Sequence, residues 1–219
     1  MRMLAILIIT ILAAATILVI HTPISRAVTG GVSDSLGSDI QDDKPDNYPV
    51  ATLAGGCFWC IEADFEKLDG VYEAVSGYTG GSEETANYKT VSNTETGHYE
   101  AVEVSYNPEV ISYAELVEYF WLHIDPTDAK GQFCDKGSSY RSAIFYGTPK
   151  EQLIVDASLI VLNKNKPFKA NIVTAVIEAK AFYRAEEYHQ NYYQKNPIRY
   201  RFYRSGCGRD KTIKSLWGN

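Results

Sequence analysis

Methionine is almost missing from this 219-residue chain: Met1 and Met3 are the only two, so residues 4–219 contain none. Cysteine is scarce too. Four residues (Cys57, Cys60, Cys134 and Cys207) are too few for a disulfide scaffold of this length but enough for redox chemistry. A basic excess is lacking, with 21 Lys and Arg against 27 Asp and Glu and a net charge of −6. A nucleic-acid surface needs the opposite balance, so no nucleic-acid partner is expected. No second Cys-x-x-Cys and no His-x-x-x-His accompany Cys57-Phe58-Trp59-Cys60, which argues against a four-ligand zinc site. No internal repeat is present either. What remains, 45% apolar and 22% charged, is the composition of one packed domain plus an extra segment.

The extra segment is N-terminal. Residues Leu4 to Ile20 carry no charge, Arg2 precedes them and Thr22-Pro23 follows. A positive end, an apolar run and the small-residue site Ser25-Arg26-Ala27 form the layout of a secretory signal. The run is long for a signal and short for a spanning helix, so residues 1–27 are read as a signal peptide or a membrane anchor. Residues 28–47, rich in Gly, Ser and Asp, read as a flexible linker. The folded domain is then expected over 48–219. Its setting is outside the cytoplasm, periplasmic or extracytoplasmic, with anchoring to the inner membrane by residues 4–20 as the alternative.

Along the domain, Val50 to Ala54 reads as a buried strand ended by Gly55-Gly56, and Cys57, Ile61, Phe65 and Leu68 recur at helical spacing. Val71 to Tyr78 and Tyr99 to Tyr106 read as strands. Ser112-x-x-Glu115 and Thr148-Pro149-x-Glu151 are capping boxes, opening helices to about His123 and Asn163. Further strands are expected over Arg141 to Tyr146 and Ile172 to Ile177. A helix is expected over Ala185 to Lys195, stopped at Asn196-Pro197, with a loop from Ile198 onward. Strands alternating with helices imply an α/β fold, an α+β two-layer sandwich of ferredoxin-like type around a mixed sheet.

Cys57 stands at the start of a helix, after two glycines. Free N–H groups and the positive dipole end favour a thiolate there. Cys60 lies one turn on, on the same side, close enough for a disulfide with little movement. The pair reads as a redox couple, against half a zinc site or two small core residues. The bulky Phe58 and Trp59 beside the nucleophile suggest an apolar substrate pocket, with plain core as the alternative for both and the reading taken for Phe58 alone. Glu100 shares a strand face with His98, Val102, Val104 and Tyr106. Burial on an apolar face raises a carboxyl's pKa, making Glu100 a candidate general acid. The competing reading is a carboxylate paired with Arg141 or Lys89. His98 is either a satisfied structural histidine or a proton carrier.

These motifs resemble the A-type peptide methionine sulfoxide reductases. The resemblance rests on Gly55 to Cys60, Thr96 to Val102, Tyr113 to Pro126, Gln132 to Asp135 with Tyr140 to Ile144, and Tyr188-His189-Gln190. It covers about residues 49–210. It implies reduction of the S epimer of methionine sulfoxide in proteins, and of free methionine sulfoxide, without a metal or cofactor. It implies Cys57 as nucleophile, Phe58 and Trp59 as the wall for the sulfoxide methyl, and Glu100 as proton donor. Tyr88 and Tyr140 would hydrogen-bond the oxygen, and Asp135 would help hold the substrate backbone. A second thiol must condense with the Cys57 sulfenic acid. Cys60 is nearest, and Cys207, in a glycine-flanked tail, is the other option; many relatives have Gly where Cys60 stands. Cys134 is expected to be a buried bystander. The expected partners are oxidised proteins or peptides and a thioredoxin-like donor, with the enzyme acting as a monomer. The rival classes are a general disulfide oxidoreductase built on Cys57-Cys60 and a binding domain with inert cysteines.

Overall fold

Gly56 makes the turn on which the molecule hinges. Its φ of +86° is left-handed, and a Cβ there would meet the Gln132 side chain at 2.5 Å. The chain thus passes from strand β1 (Val50–Gly55) directly into helix α1 (Phe58–Phe65), with Cys57 at the N-cap. The computed structural model describes residues 48–218; the expected signal or anchor (1–27) and linker (28–47) lie outside the described residues.

The next elements are β2 (Val71–Thr79), the short α2 (Tyr88–Val91), β3 (Tyr99–Tyr106) and α3 (Tyr113–Leu122). A two-strand ribbon follows, β4 (Gly131–Gln132) with β5 (Asp135–Lys136), then β6 (Ser142–Tyr146) and α4 (Pro149–Asn165). β7 (Ala175–Glu178), β8 (Phe182–Arg184), α5 (Tyr192–Lys195), α6 (Pro197–Gly206) and α7 (Arg209–Trp217) complete the chain. Both expected capping boxes form, Ser112 with Glu115 and Thr148 with Glu151. Among the described residues no helix is long and apolar enough to cross a membrane.

The main sheet runs β7-β6-β1-β3-β2-β8. Only β6 and β7 pair in parallel, so the sheet is mixed, as expected. Period-two alternation sorts its side chains. Leu53, Val102, Val104 and Ile144 pack under α1, α3 and α4 in one core, with Phe58, Ile61, Phe65, Leu116 and Phe120. Ala54, Tyr99, Ala101, Ala143 and Phe145 form a smaller cluster on the other face. β3 is central, with β1 and β2 on its edges, the helix-side core on one face and the smaller cluster on the other. Glu100 therefore lies on the helix-covered face, 2% exposed.

Two expectations about the C-terminal third are corrected. Residues 185–191 are not helix; only Tyr192–Lys195 is. Their side chains bond elsewhere: the Gln190 amide accepts from Ser76 N–H and donates to Ser76 and Ala185 carbonyls, and Glu186 accepts from Tyr88 N–H and Tyr78 O–H. Asn191, at φ 53°, breaks the helical path. The tail is not a loop but α6 and α7. Pro197 opens α6 at its first turn, a position proline favours, rather than merely stopping what precedes it.

Arginines dock this tail. Arg204 reaches Asp64 Oδ1 at 2.9 Å and Asp210 Oδ1 at 2.7 Å. The buried Arg209 donates to the carbonyls of Gly55 (3.1 Å) and His123 (2.8 Å) and covers the Phe133 ring. Asp64 is 3% exposed, so truncating Arg204 removes its close partner and leaves the buried carboxylate with only the longer contacts, 3.9 Å each, to Lys67 and Arg209. Arg204→Ala is expected to lower unfolding free energy by about 3 kcal/mol, the scale for breaking a buried pair, read as a lower urea midpoint.

Candidate active site

Seven residues singled out from the sequence line one small cavity of about 60 Å³: Cys57, Phe58, Trp59, Tyr88, Glu100, Asp135 and Tyr140. An eighth, Tyr203, comes from α6. A much larger apolar groove, about 700 Å³, lies between α3 and α4 and carries none of these groups.

The N-terminus of α1 and strand β3 meet at the cavity floor. The first helical N–H, that of Phe58, donates to Glu100 Oε2 at 3.1 Å. Burial, opposed by that hydrogen bond and one involving Tyr140, lifts the Glu100 pKa to about 8. The carboxyl is therefore mostly protonated at neutral pH. Arg141 does not pair with it; its Nε donates to the Ser138 carbonyl and its guanidinium lies over Tyr99. His98 is structural: Nδ1 accepts from Gly81 N–H at 3.2 Å and Nε2 lies 2.9 Å from the Ser82 carbonyl.

Cys57 and Cys60 are free thiols, 6% and 2% exposed, on one side of the first turn. The expected lowering of the Cys57 pKa is not what the surroundings produce. Burial pushes the Cys57 thiol well up, whereas the hydrogen bond with Cys57 brings Cys60 down to about 7, helped by the Arg209 and Arg204 charges. The two thiols thus share one hydrogen bond that holds Cys57 up and Cys60 down. The helix N–H that was to stabilise Cys57 is spent on Glu100 instead.

The aromatic walls are held from behind. Trp59 Nε1 donates to His189 Nδ1 at 2.9 Å, and its ring stacks on Tyr192 at 3.7 Å. Burial lowers the His189 pKa to about 4, so its neutral ring remains an acceptor. Phe58 packs on His189 and Tyr78, and the Tyr88 ring also packs against His189. Phe58 is thus core and cavity wall at once. Asp135 is placed by the ribbon: Gln132, fully buried, exchanges two hydrogen bonds with the Asp125 backbone, and Phe133 takes a left-handed φ of 54°.

Tyr203 was not foreseen. Its hydroxyl donates to Asp135 Oδ2 at 2.5 Å and lies in hydrogen-bond reach of Cys57. The spacing of Tyr200, Tyr203, Arg204 and Cys207 along one helical face was the available signal. Cys207 is not in the cavity. It caps α6 and is disulfide-bonded to Cys134, across a Cα separation of 4.8 Å. Cys134 is exposed and bonded, not the buried bystander expected.

A mixed sheet presenting a buried thiol pair beside a neutral carboxyl defines a thiol-based oxidoreductase. The peptide methionine sulfoxide reductase family model matches residues 49–219, and the chain belongs to that family. It is 49% identical over 169 residues to the peptide methionine sulfoxide reductase MsrA of Bacillus subtilis, covering 77% of this chain and 96% of that one. It is 44% identical to the MsrA/MsrB protein of Vibrio cholerae, covering 81% of this chain and 47% of that longer protein. Among solved structures it resembles reduced Mxr1 of Saccharomyces cerevisiae, with a TM-score of 0.66 and 34% identity over 71% of this chain and 89% of that one. Methionine sulfoxide reductase A of Corynebacterium diphtheriae gives a TM-score of 0.62 and 30% identity over 70% of this chain and 77% of that one. The chain is accordingly a methionine sulfoxide reductase of the A type.

Proposed function

We propose that the enzyme reduces the S epimer of methionine sulfoxide, in proteins and as the free amino acid, through Cys57. The observation that carries this reading is the convergence, in one cavity of about 60 Å³, of a thiol, a protonated carboxyl and aromatic walls. Phe58 and Trp59 take the sulfoxide methyl. Glu100, Tyr88 and Tyr140 face the oxygen, and Asp135 helps hold the substrate backbone.

A sulfoxide sulfur is a poor electrophile until its oxygen is protonated. Cys57 passes its proton to the Cys60 thiolate and attacks sulfur, while Glu100 gives its proton to the oxygen. Methionine leaves, and Cys57 becomes a sulfenic acid. The Cys60 thiol then attacks the sulfenic sulfur, forming the Cys57–Cys60 disulfide and releasing water. The two protons in that water come from Cys57 and Glu100, so the site holds both before substrate arrives.

Cys60 is the proposed resolver, because it already shares a hydrogen bond with Cys57 and needs least motion; Cys207 is tied to Cys134. A thioredoxin-like dithiol restores the thiols. A general disulfide oxidoreductase is disfavoured, since disulfide exchange has no use for the protonated carboxyl and aromatic walls gathered around Cys57. Cys60→Ser is expected to release one methionine per chain, more slowly than wild type because Cys57 loses its proton acceptor, and then stop, with turnover falling at least about 10²-fold and the sulfenic acid trapped by dimedone. A Cys60→Ser enzyme that turns over normally transfers the role to another thiol.

The proposed setting is outside the cytoplasm. The support is the uncharged run from Leu4 to Ile20 behind Arg2. Intact mass of the exported protein checks it: loss of residues 1–27 indicates a signal, retention an anchor, and failure to leave the cytoplasm contradicts both.

A further inference from the structure

The disulfide outside the cavity sits beside a carboxylate that faces into it. Asp135 follows Cys134, and Tyr203 lies one helical turn before Cys207. The Cys134 and Cys207 sulfurs and an Asp135 oxygen lie within 4.8 Å of one another. Among the described residues no other group of three His, Cys, Asp or Glu brings its ligand atoms together in this way. Cys134 is exposed and the other two are half-buried, so an ion has a path in.

We propose that, once this disulfide is reduced, the Cys134 and Cys207 thiolates and the Asp135 carboxylate bind a thiophilic divalent cation of the Zn²⁺ class, and that the occupied site inactivates the cavity. The proposal applies to the reduced form only. A dithiol reductant supplies two electrons and two protons, breaking the S–S bond and becoming a disulfide itself. The cation then displaces both thiol protons to solvent.

Zn–S bonds of about 2.3 Å in tetrahedral geometry hold two sulfurs about 3.8 Å apart, so the sulfurs, joined to each other in the oxidised form, separate on reduction to admit the ion between them. Three protein ligands leave a fourth position for water. Two thiolates, a carboxylate and a divalent ion sum to one negative charge, and the Arg209 and Lys136 charges act on Asp135 to offset it. The consequence for the cavity follows from one bond. An Asp135 turned to the metal releases the Tyr203 hydroxyl it now accepts from, and both residues line the cavity with Cys57.

The test uses Cys57→Ser/Cys60→Ser protein, so that only Cys134 and Cys207 remain as thiols. Reduced, freed of reductant without oxygen and titrated with Co²⁺, it is expected to bind one ion per chain with the visible bands of tetrahedral thiolate coordination, abolished by Zn²⁺. The oxidised protein shows none. Adding Cys134→Ser removes the bands, with circular dichroism confirming the fold. Absent bands, or bands that survive Cys134→Ser, overturn the site. A second arm reads the effect on the cavity: one equivalent of Zn²⁺ abolishes the single-turnover methionine burst of the reduced wild type but spares that of Cys134→Ser. An undiminished wild-type burst overturns the inactivation. That arm rests on the sulfoxide reading; a burst missing even without Zn²⁺ refutes that reading and leaves the cobalt result standing.

Discussion

Cys57→Ser is expected to lower methionine formation from dabsyl-methionine-(S)-sulfoxide by more than about 10⁴-fold, with dithiothreitol present at any concentration. The effect is this large because no neighbour can substitute. Serine cannot form the sulfenic acid that carries the oxygen away, and Cys60 lies one turn deeper, outside the cavity lining. Substrate binding should survive, since the walls of Phe58, Trp59 and Tyr88 and the Glu100 carboxyl stay in place. Kd for the sulfoxide, measured by tryptophan fluorescence, is expected to change less than about 3-fold, an ordinary context effect below 1 kcal/mol. Measurable turnover by Cys57→Ser would remove the nucleophile from the mechanism.

Glu100→Gln is expected to slow sulfoxide reduction by about 10²–10⁴-fold at pH 7, the usual worth of a positioned general acid. The pH profile is the sharper readout. Cys60 must accept a proton, so activity rises with pH through its pKa of about 7. Glu100 must donate one, so activity falls as pH rises through about 8. The wild type should therefore show a narrow bell with its maximum between the two. Glutamine does not titrate, so Glu100→Gln should keep the rising limb and lose the falling one. A variant with an unchanged bell would exclude Glu100 as the acid.

Much of this site was legible because its residues lie in short motifs on elements that announce themselves. Strand alternation put Glu100 on the face with Val102 and Val104, and that face proved to be under the helices. Gly55-Gly56 before an amphipathic stretch marked the turn into α1, where φ at Gly56 is positive. The capping boxes at Ser112 and Thr148 marked two helices to within a few residues. What escaped depends on contacts distant in sequence. The buried face of α6 is Tyr200 with Tyr203 and Arg204, held by ion pairs and ring contacts, so the aliphatic period that signals a helix is missing. Residues 185–191 carry helix-compatible side chains, but Glu186 and Gln190 spend theirs on α2 and β2. Cys134 and Cys207 are 73 residues apart, and nothing local couples them. The thiol pKa values depended on a detail of the same kind: the helix N–H at Phe58 serves Glu100, and the proton on Cys57 is shared with Cys60.

In the proposed cycle Cys57 takes the oxygen and Cys60 closes the ring of steps. Its most direct test is one turnover without reductant, starting from protein with Cys57 and Cys60 reduced, followed by disulfide mapping of the digested chain by mass spectrometry. The expected result is one methionine released per chain and a new Cys57–Cys60 disulfide, with both thiols lost together. Methionine released while Cys57 stays free, or Cys57 recovered in a disulfide with Cys134 or Cys207, would contradict it.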